Sequence, residues 1–461
     1  MLTNPNDYVQ MLQLLIAALL GVNILTFAVK RTEIQFASNI LMLVAISLIF
    51  YNMFSSGIVQ LQGYISVSPF SELLAMLLTV SMLLINLLSY GAEKEYHMFG
   101  MFSTFALIGM YMVAFAGNFI MVLLGLELMI MPTVFAILSS KTRSTEAAVK
   151  LFVISALSIS ILTFGVVLFY GGTNTISFIQ APTSKVVEIA LVFIIASLGF
   201  EASISPFNLW VPDTYELSPT YLTGMLGAVN KKVGFIALME IMLLAFMQYE
   251  GTFSMVLAVL SIITMLYGNL VALSQNNVKR LMAYSAISQS GYILIGIAVA
   301  TQYSISATIF QIIAHSFMFI GVLAIIAYME QRNRHTINDY LGLFRDNKLA
   351  AIAMTVFFLG FIGTPFTTGF IGKFMLFSSA IYGNLLALAL VGIISSIISV
   401  YYYLKVIMAI FANKEKPSYF KMNANIVAVV VICLAFTLIL GIYPAPLISA
   451  ASSASIALIP K

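Results

Sequence analysis

The sequence predicts an all-α, polytopic membrane protein of about 14 transmembrane helices. Of 461 residues, 61% are hydrophobic and 8% charged, against about 45–50% and 25% in soluble domains. Apolar runs of about 20 residues recur from end to end, each long enough to cross about 30 Å of hydrocarbon as a helix. Their connections are short and polar, so residues 1–461 read as a single transmembrane domain.

The runs centre on 9–29, 36–58, 71–90, 97–116, 118–138, 147–171, 186–208, 219–245, 252–273, 281–301, 305–329, 349–380, 383–412 and 424–446. The first is read as retained and not as a cleaved signal peptide: MLTNPNDY before it holds no Lys or Arg, whereas Lys30 and Arg31 follow it. Loops after odd-numbered runs hold Lys30, Arg31, Lys94, Lys141, Arg143, Lys279, Arg280, Arg332, Arg334, Arg345, Lys348, Lys414, Lys416 and Lys421, whereas the other side holds only Lys185 and Lys461. The positive-inside rule therefore puts both termini outside. The net charge of +4 reflects these anchors and not a nucleic-acid site. The one cysteine, Cys433, excludes a disulfide or an iron–sulfur cluster built from this chain alone.

Five lysines remain inside runs: Lys150, Lys231, Lys232, Lys373 and Lys405. Lys150 lies close enough to the start of its run for snorkelling to explain it. Lys405, in YYYLKVIM, is expected deeper. Lys231 falls about 12 residues past Pro219, or about 18 Å along a helix, near mid-membrane. Glu127, in LLGLELM, is also expected at mid-membrane, and Glu201 fifteen residues into its run. Glu72, at the very start of the third run, is expected within reach of water, and Glu240 approaches the outer surface. His315, in FQIIAHSFMF, is either a packing residue or a relay. A charge in the bilayer is costly unless paired, protonated or wet, so such residues mark ion or proton paths by default; the alternative is a structural ion pair.

Two runs are broken. Pro206, in SISPF, and Pro365, in GFIGTPFTTGFIGK, each remove a backbone donor. Freed backbone groups must then find protein or water, which at membrane depth points to a cavity and to repeat-built transporters. The breaks fall in the seventh and twelfth spans. This spacing fits two inverted five-helix repeats, spans 4–8 (about 97–245) and spans 9–13 (about 252–412).

The blocks LLGLELMIMP, STEAAVKLFVISA, SPFNLWVPDTYELSPT, GNLVALSQNNVKRLMAYSAISQSGY, TINDYLGL and GTPFTTGFIGKF occur in this order over most of the chain. In them the sequence resembles the antiporter-like membrane subunits of respiratory complex I, and among these subunit N. The resemblance implies a proton channel in a prokaryotic cell membrane, with Glu127 as the fifth-span acid, Lys231 as the eighth-span lysine beside an extra neighbour Lys232, His315 as a link from Lys231 toward Lys373, and Lys373 as the twelfth-span terminal lysine. It also implies sister antiporter-like subunits as partners, with quinone and iron–sulfur clusters on partner subunits and no cofactor in this chain. Where subunit N usually has a lysine this chain has Glu201. Glu127 and Glu201 would then be two acids, which either share a proton or turn to Lys231 or Lys232 as counter-charge. Competing readings are a subunit of a multisubunit cation/proton antiporter or membrane-bound hydrogenase, and a non-transporting scaffold.

Overall fold

The chain's helices follow the apolar runs in order in this computed structural model, which describes residues 5–29, 31–56, 60–62, 64–90, 96–140, 144–413 and 420–459. They are α1 (Pro5–Val29), α2 (Thr32–Ser56), α3 (Pro69–Ser89), α4 (Tyr96–Ala114), α5 (Phe119–Ser139), α6 (Ser144–Thr173), α7 (Lys185–Glu201), α8 (Val211–Leu217), α9 (Thr220–Gly224), α10 (Lys231–Glu240), α11 (Glu250–Ala272), α12 (Val278–Val299), α13 (Gln302–Glu330), α14 (Leu343–Asp346), α15 (Lys348–Ile362), α16 (Thr368–Tyr382), α17 (Leu386–Phe411), α18 (Ala424–Ile442) and α19 (Ala445–Ile456). Lys30, Lys94, Lys141, Arg143, Lys414, Lys416 and Lys461 of the charge pattern lie outside the described residues.

Among the described residues ten helices are long and apolar enough to cross a membrane. The other expected runs are interrupted or short. The seventh and twelfth divide at their prolines, and the eighth divides into α9, α10 and the π-helical stretches Met225–Asn230 and Ile241–Ala245. The first keeps a shorter apolar stretch, Gln13–Ala28. Beyond Pro444 a further short helix, α19, follows the last expected run and packs on α3 and α13. The all-α expectation holds; beside the helices, Gln60–Gln62 and Ile65–Val67 form a short antiparallel hairpin, β1 and β2.

Local chemistry sets the helix starts. The side chains of Ser68, Asn118, Ser184, Asn277, Thr301 and Asn347 accept backbone N–H groups of the first turns of α3, α5, α7, α12, α13 and α15. These bonds satisfy donors that a helix start leaves free. Packing then sorts the helices. The apolar windows of α12 and α13 are 100% buried, whereas those of α2, α6 and α18 are 33% buried. α12 and α13 are thus the central pair, against which the broken segments lie.

The first break spans Ala202 to Trp210, with Ser203 in the left-handed region (φ 57°). Neighbouring side chains satisfy its backbone. The Ser205 N–H donates to Thr264 Oγ1 (3.0 Å), Ser290 Oγ donates to the Ala202 carbonyl (2.7 Å), and Trp210 Nε1 donates to the Phe200 carbonyl (3.2 Å). The second break runs from Gly363 (φ 91°) to Thr367 and includes Pro365 and a left-handed Phe366 (φ 69°). Each break thus ends a helix and turns its last carbonyls toward neighbouring side chains, while Pro206, Pro365 and Phe366 themselves are exposed.

Candidate functional site

The π-helical stretch Met225–Asn230 ends directly before the two lysines of α10. Such a stretch resets the phase of the residues that follow it, and adjacent positions on the ensuing α-helix point about 100° apart. Lys231 Nζ therefore turns to α12 and donates to the Ala286 carbonyl. Lys232 Nζ turns to α13 and lies 2.9 Å from His315 Nδ1. Lys231, Lys232 and His315 are all fully buried. His315 stacks on Phe319, and its Nε2 has no protein partner. An ammonium and an imidazolium at this separation repel, so the two groups are not charged together. The sequence linked His315 to Lys231; the contact belongs to Lys232.

Glu201 is the last residue of α7, beside the first break, and is 9% exposed. Gly234 lets α10 pack closely on it, since a Cβ at position 234 would come within 2.9 Å of the Glu201 Cβ. Glu127, on α5, is partly buried and within electrostatic reach of Glu201. The bridge from Glu201 to Lys231 or Lys232 that the sequence left open is not made, because both ammonium groups turn to other partners. Ser158 lies near Glu201 and is cross-linked to Ser197 on α7 (Ser158 Oγ to the Ser197 carbonyl, 3.0 Å; Ser197 Oγ to the Ser158 carbonyl, 2.7 Å).

Lys373 lies in the second turn of α16 and reaches back across the second break. Its Nζ donates to the carbonyls of Phe361 (2.7 Å) and Ile362 (3.1 Å) and to Ser396 Oγ (2.9 Å). The ammonium thus caps the C-terminus of α15, where free carbonyls and the helix dipole favour a cation. The Tyr292 ring centroid is 4.5 Å from Nζ, so the charge also meets a π-face. Pro206 and Pro365 sit inside the two breaks, as expected.

Glu72 and Lys405 sit differently from expectation, and Lys150 and Glu240 have surroundings that spacing alone does not reveal. Glu72 is not within reach of water: it is 0% exposed, with no partner for either carboxylate oxygen. Lys405 is not deep, since it donates to Asn276 Oδ1 (3.2 Å) in the connection between α11 and α12. Lys150 pairs with Glu146 (2.7 Å) and Asp213 (2.8 Å) instead of snorkelling alone. Glu240 is buried at 4% exposure with an unpartnered Oε2.

Sequence reasoning missed the wider network around Asp213. Arg280 joins Asp213 (2.8 Å) and Glu216 (2.8 Å), and Lys279 joins Glu330 (3.0 Å) and the Ser218 carbonyl (2.6 Å). These contacts tie α6, α8, α12 and α13 together at one end of the bundle. The signal was present as Asp213 and Glu216 in VPDTYEL facing the Lys279–Arg280 pair, but the partners lie more than 60 residues apart.

A family model described as NADH:quinone oxidoreductase/Mrp antiporter, TM, matches residues 116–399. The chain belongs to this family. It is 35% identical over 415 residues to NADH-quinone oxidoreductase subunit N of Desulforamulus reducens, covering 86% of each chain. It is 30% identical to F(420)H(2) dehydrogenase subunit N of Methanosarcina mazei, covering 89% of this chain and 90% of the relative. Two solved structures share the family's fold. A chain of respiratory complex I from Thermus thermophilus aligns with a TM-score of 0.84 at 24% identity (96% of this chain, 99% of that one). A chain of the Mrp complex from Dietzia sp. aligns with a TM-score of 0.91 at 20% identity (97% of each). The protein is therefore a multi-pass membrane subunit of the antiporter-like type.

Proposed function

We propose that this chain is the proton-translocating subunit N of a complex I-type quinone oxidoreductase, driven by redox chemistry on its partners. One observation carries the reading: the buried Lys232–His315 pair at 2.9 Å, with Lys373 on the next broken helix beyond it. Charges so deep in a membrane bundle are costly, and a path for protons accounts for all of them together. Glu127 and Glu201 load the path beside the first break, Lys232 and His315 pass the proton through the centre, and Lys373 releases it beyond the second break. Spans 4–8 and 9–13 serve as inverted five-helix repeats that each contribute one broken helix.

The basic loops face the cytoplasm of a prokaryotic cell, and both termini face outward. Quinone and iron–sulfur clusters reside on partner subunits, with no cofactor in this chain. Glu127 supports a further feature. A partly exposed carboxylate at mid-membrane is not left against lipid, so a sister antiporter-like subunit covers the α5 face. The electron donor is read by other subunits, consistent with relatives named for NADH and for F(420)H(2).

The test is proton pumping by the complex in vesicles, read as acridine-dye quenching and normalised to quinone reduction. Lys232→Ala and Lys373→Ala each lose pumping by about a hundred-fold, the scale of a lost proton-transfer group. Normal pumping in an assembled Lys373→Ala complex would overturn the reading.

A further inference from the structure

Among the described residues no hydrogen bond joins His315 to Lys373, whose Nζ turns to Phe361, Ile362 and Ser396. Two buried amides lie on the helix faces that carry the site residues. Gln311 precedes His315 by one turn of α13, and Gln289 precedes Tyr292 by one turn of α12, so each shares a face with a site residue. Gln311 Nε2 donates to Gln289 Oε1 at 3.2 Å. Both side chains are 1% exposed.

This single bond leaves half of the pair's capacity unused. Gln311 Oε1 and Gln289 Nε2 have no protein partner, and neither has His315 Nε2. The Tyr403 hydroxyl comes close to the Gln289 amide without hydrogen-bond geometry and is bonded to Ser285. Exchanging oxygen and nitrogen in both amides only swaps which residue keeps the orphan acceptor. A purely structural clamp between α12 and α13 would not leave a buried donor and acceptor unmet, because each costs free energy that an apolar pair would avoid. A group that binds water needs such atoms.

The third element is α16. A Cβ on Gly372, the residue before Lys373, would come within 2.0 Å of Gln311 Oε1. The orphan oxygen therefore points at the backbone of the segment that bears Lys373, and only the absence of a side chain at position 372 lets it do so. Tyr292, whose ring lies under the Lys373 ammonium, continues the same face from Gln289.

We infer that Gln289 and Gln311 are positioning residues that hold water between His315 Nε2 and Lys373 and so form the bridge across which the proton passes from the Lys232–His315 pair to Lys373. The inference rests on the proposed proton path. An amide neither gains nor loses a proton here; the proton moves through the water it orders, entering from His315 Nε2 and leaving to the Lys373 amine, so charge and atoms balance at each transfer.

The experiment measures pumping against quinone reduction in vesicles holding the intact complex, with NADH or F(420)H(2) as donor, whichever the purified complex oxidises. Gln311→Met keeps side-chain length and removes both hydrogen-bonding atoms, and pumping per electron falls about ten-fold or more. Gly372→Ala displaces the same amide without removing it and has a similar effect. The double variant Gly372→Ala/Gln311→Asn withdraws the amide from the added methyl and recovers at least half of the loss. A merely structural role predicts no such recovery. If Gln311→Met fails to assemble, the Gly372→Ala pair alone decides. Normal pumping in Gly372→Ala, or no recovery in the double variant, overturns the inference while a pumping-defective Lys373→Ala leaves the proposed path standing. If Lys373→Ala also pumps normally, the path itself falls.

Discussion

Lys232 Nζ and His315 Nδ1 lie 2.9 Å apart with both side chains fully enclosed by protein. Two adjacent lysines on α10 thus have unlike jobs, since Lys231 is spent on the Ala286 carbonyl of α12. Lys232→Met is therefore expected to stop pumping, and His315→Phe to do the same. The double variant should be no worse than either single one, because both remove the same transfer step. Lys231→Met should instead lower the thermal midpoint of the complex more than its pumping per electron. Pumping assays and melting curves on the same preparations check the contrast, and the reverse order would hand the transfer role to Lys231.

Lys373→Met should destabilise as well as block pumping. It removes the donor to the Phe361 carbonyl, and one of two donors to the Ile362 carbonyl, which keeps Ser396 Oγ (3.0 Å). Leaving a buried carbonyl unmet costs about 1–3 kcal/mol. Lys373→Arg keeps donors for the same carbonyls and should recover the stability. Limited proteolysis at the second break, compared across the two variants, reads this directly; equal cleavage would mean that the capping bonds contribute little.

How much of this was legible in the sequence follows from the residues themselves. Charges such as Glu127, Glu201 and Lys373 stand out because an apolar run surrounds them, and Pro206 and Pro365 announce breaks by removing donors. Which lysine faces His315 was not legible. The π-helical stretch before Lys231 resets helical phase without any change in composition, so spacing counted at 3.6 residues per turn misassigns the faces. Depth also failed at Glu72. Its place at the start of a run says nothing about α2, α4, α13 and α19, all of which pack on α3.

Glu72 carries the resulting prediction. Both of its carboxylate oxygens are buried without a partner, and removing an unpaired buried polar group costs little. Glu72→Met should therefore assemble normally and match or exceed the parent's thermal midpoint. Glu127→Gln should pump poorly, so the two acids separate in function. A loss of pumping in Glu72→Met would bring this residue into the proton path.

The Asp213 network predicts a pH dependence. Asp213 is held below the usual carboxylate range, first by its hydrogen bond to Lys150 and also by Arg280. A carboxylate depressed in the folded state adds stability that is complete above its unfolded value of about 3.9 and is lost as the pH falls through the folded value. Asp213→Asn should then cost about 1 kcal/mol near neutral pH, since its ion pairs are partly exposed. Melting points of parent and variant should converge below about pH 4. A gap that persists in acid would assign the loss to packing instead.

Glu201 is expected to hold a transferable proton and not to serve as a fixed anion. A fixed buried anion requires a cation, and the two nearby lysines are committed to Ala286 and His315. Glu127 adds a second acid within electrostatic reach, which disfavours charge on both. The hydroxyl of Ser158 and the freed backbone after Ala202 place polar groups beside the carboxyl. Glu201→Gln should accordingly assemble, because it keeps shape and neutrality, yet lose pumping by about ten-fold to a hundred-fold. Difference infrared spectra should contain a protonated-carboxyl stretch near neutral pH that disappears in this variant. Should the band be absent and Glu201→Lys pump like the parent, the site needs only a charge of the family's usual kind, and the two acids of this chain do not share a proton.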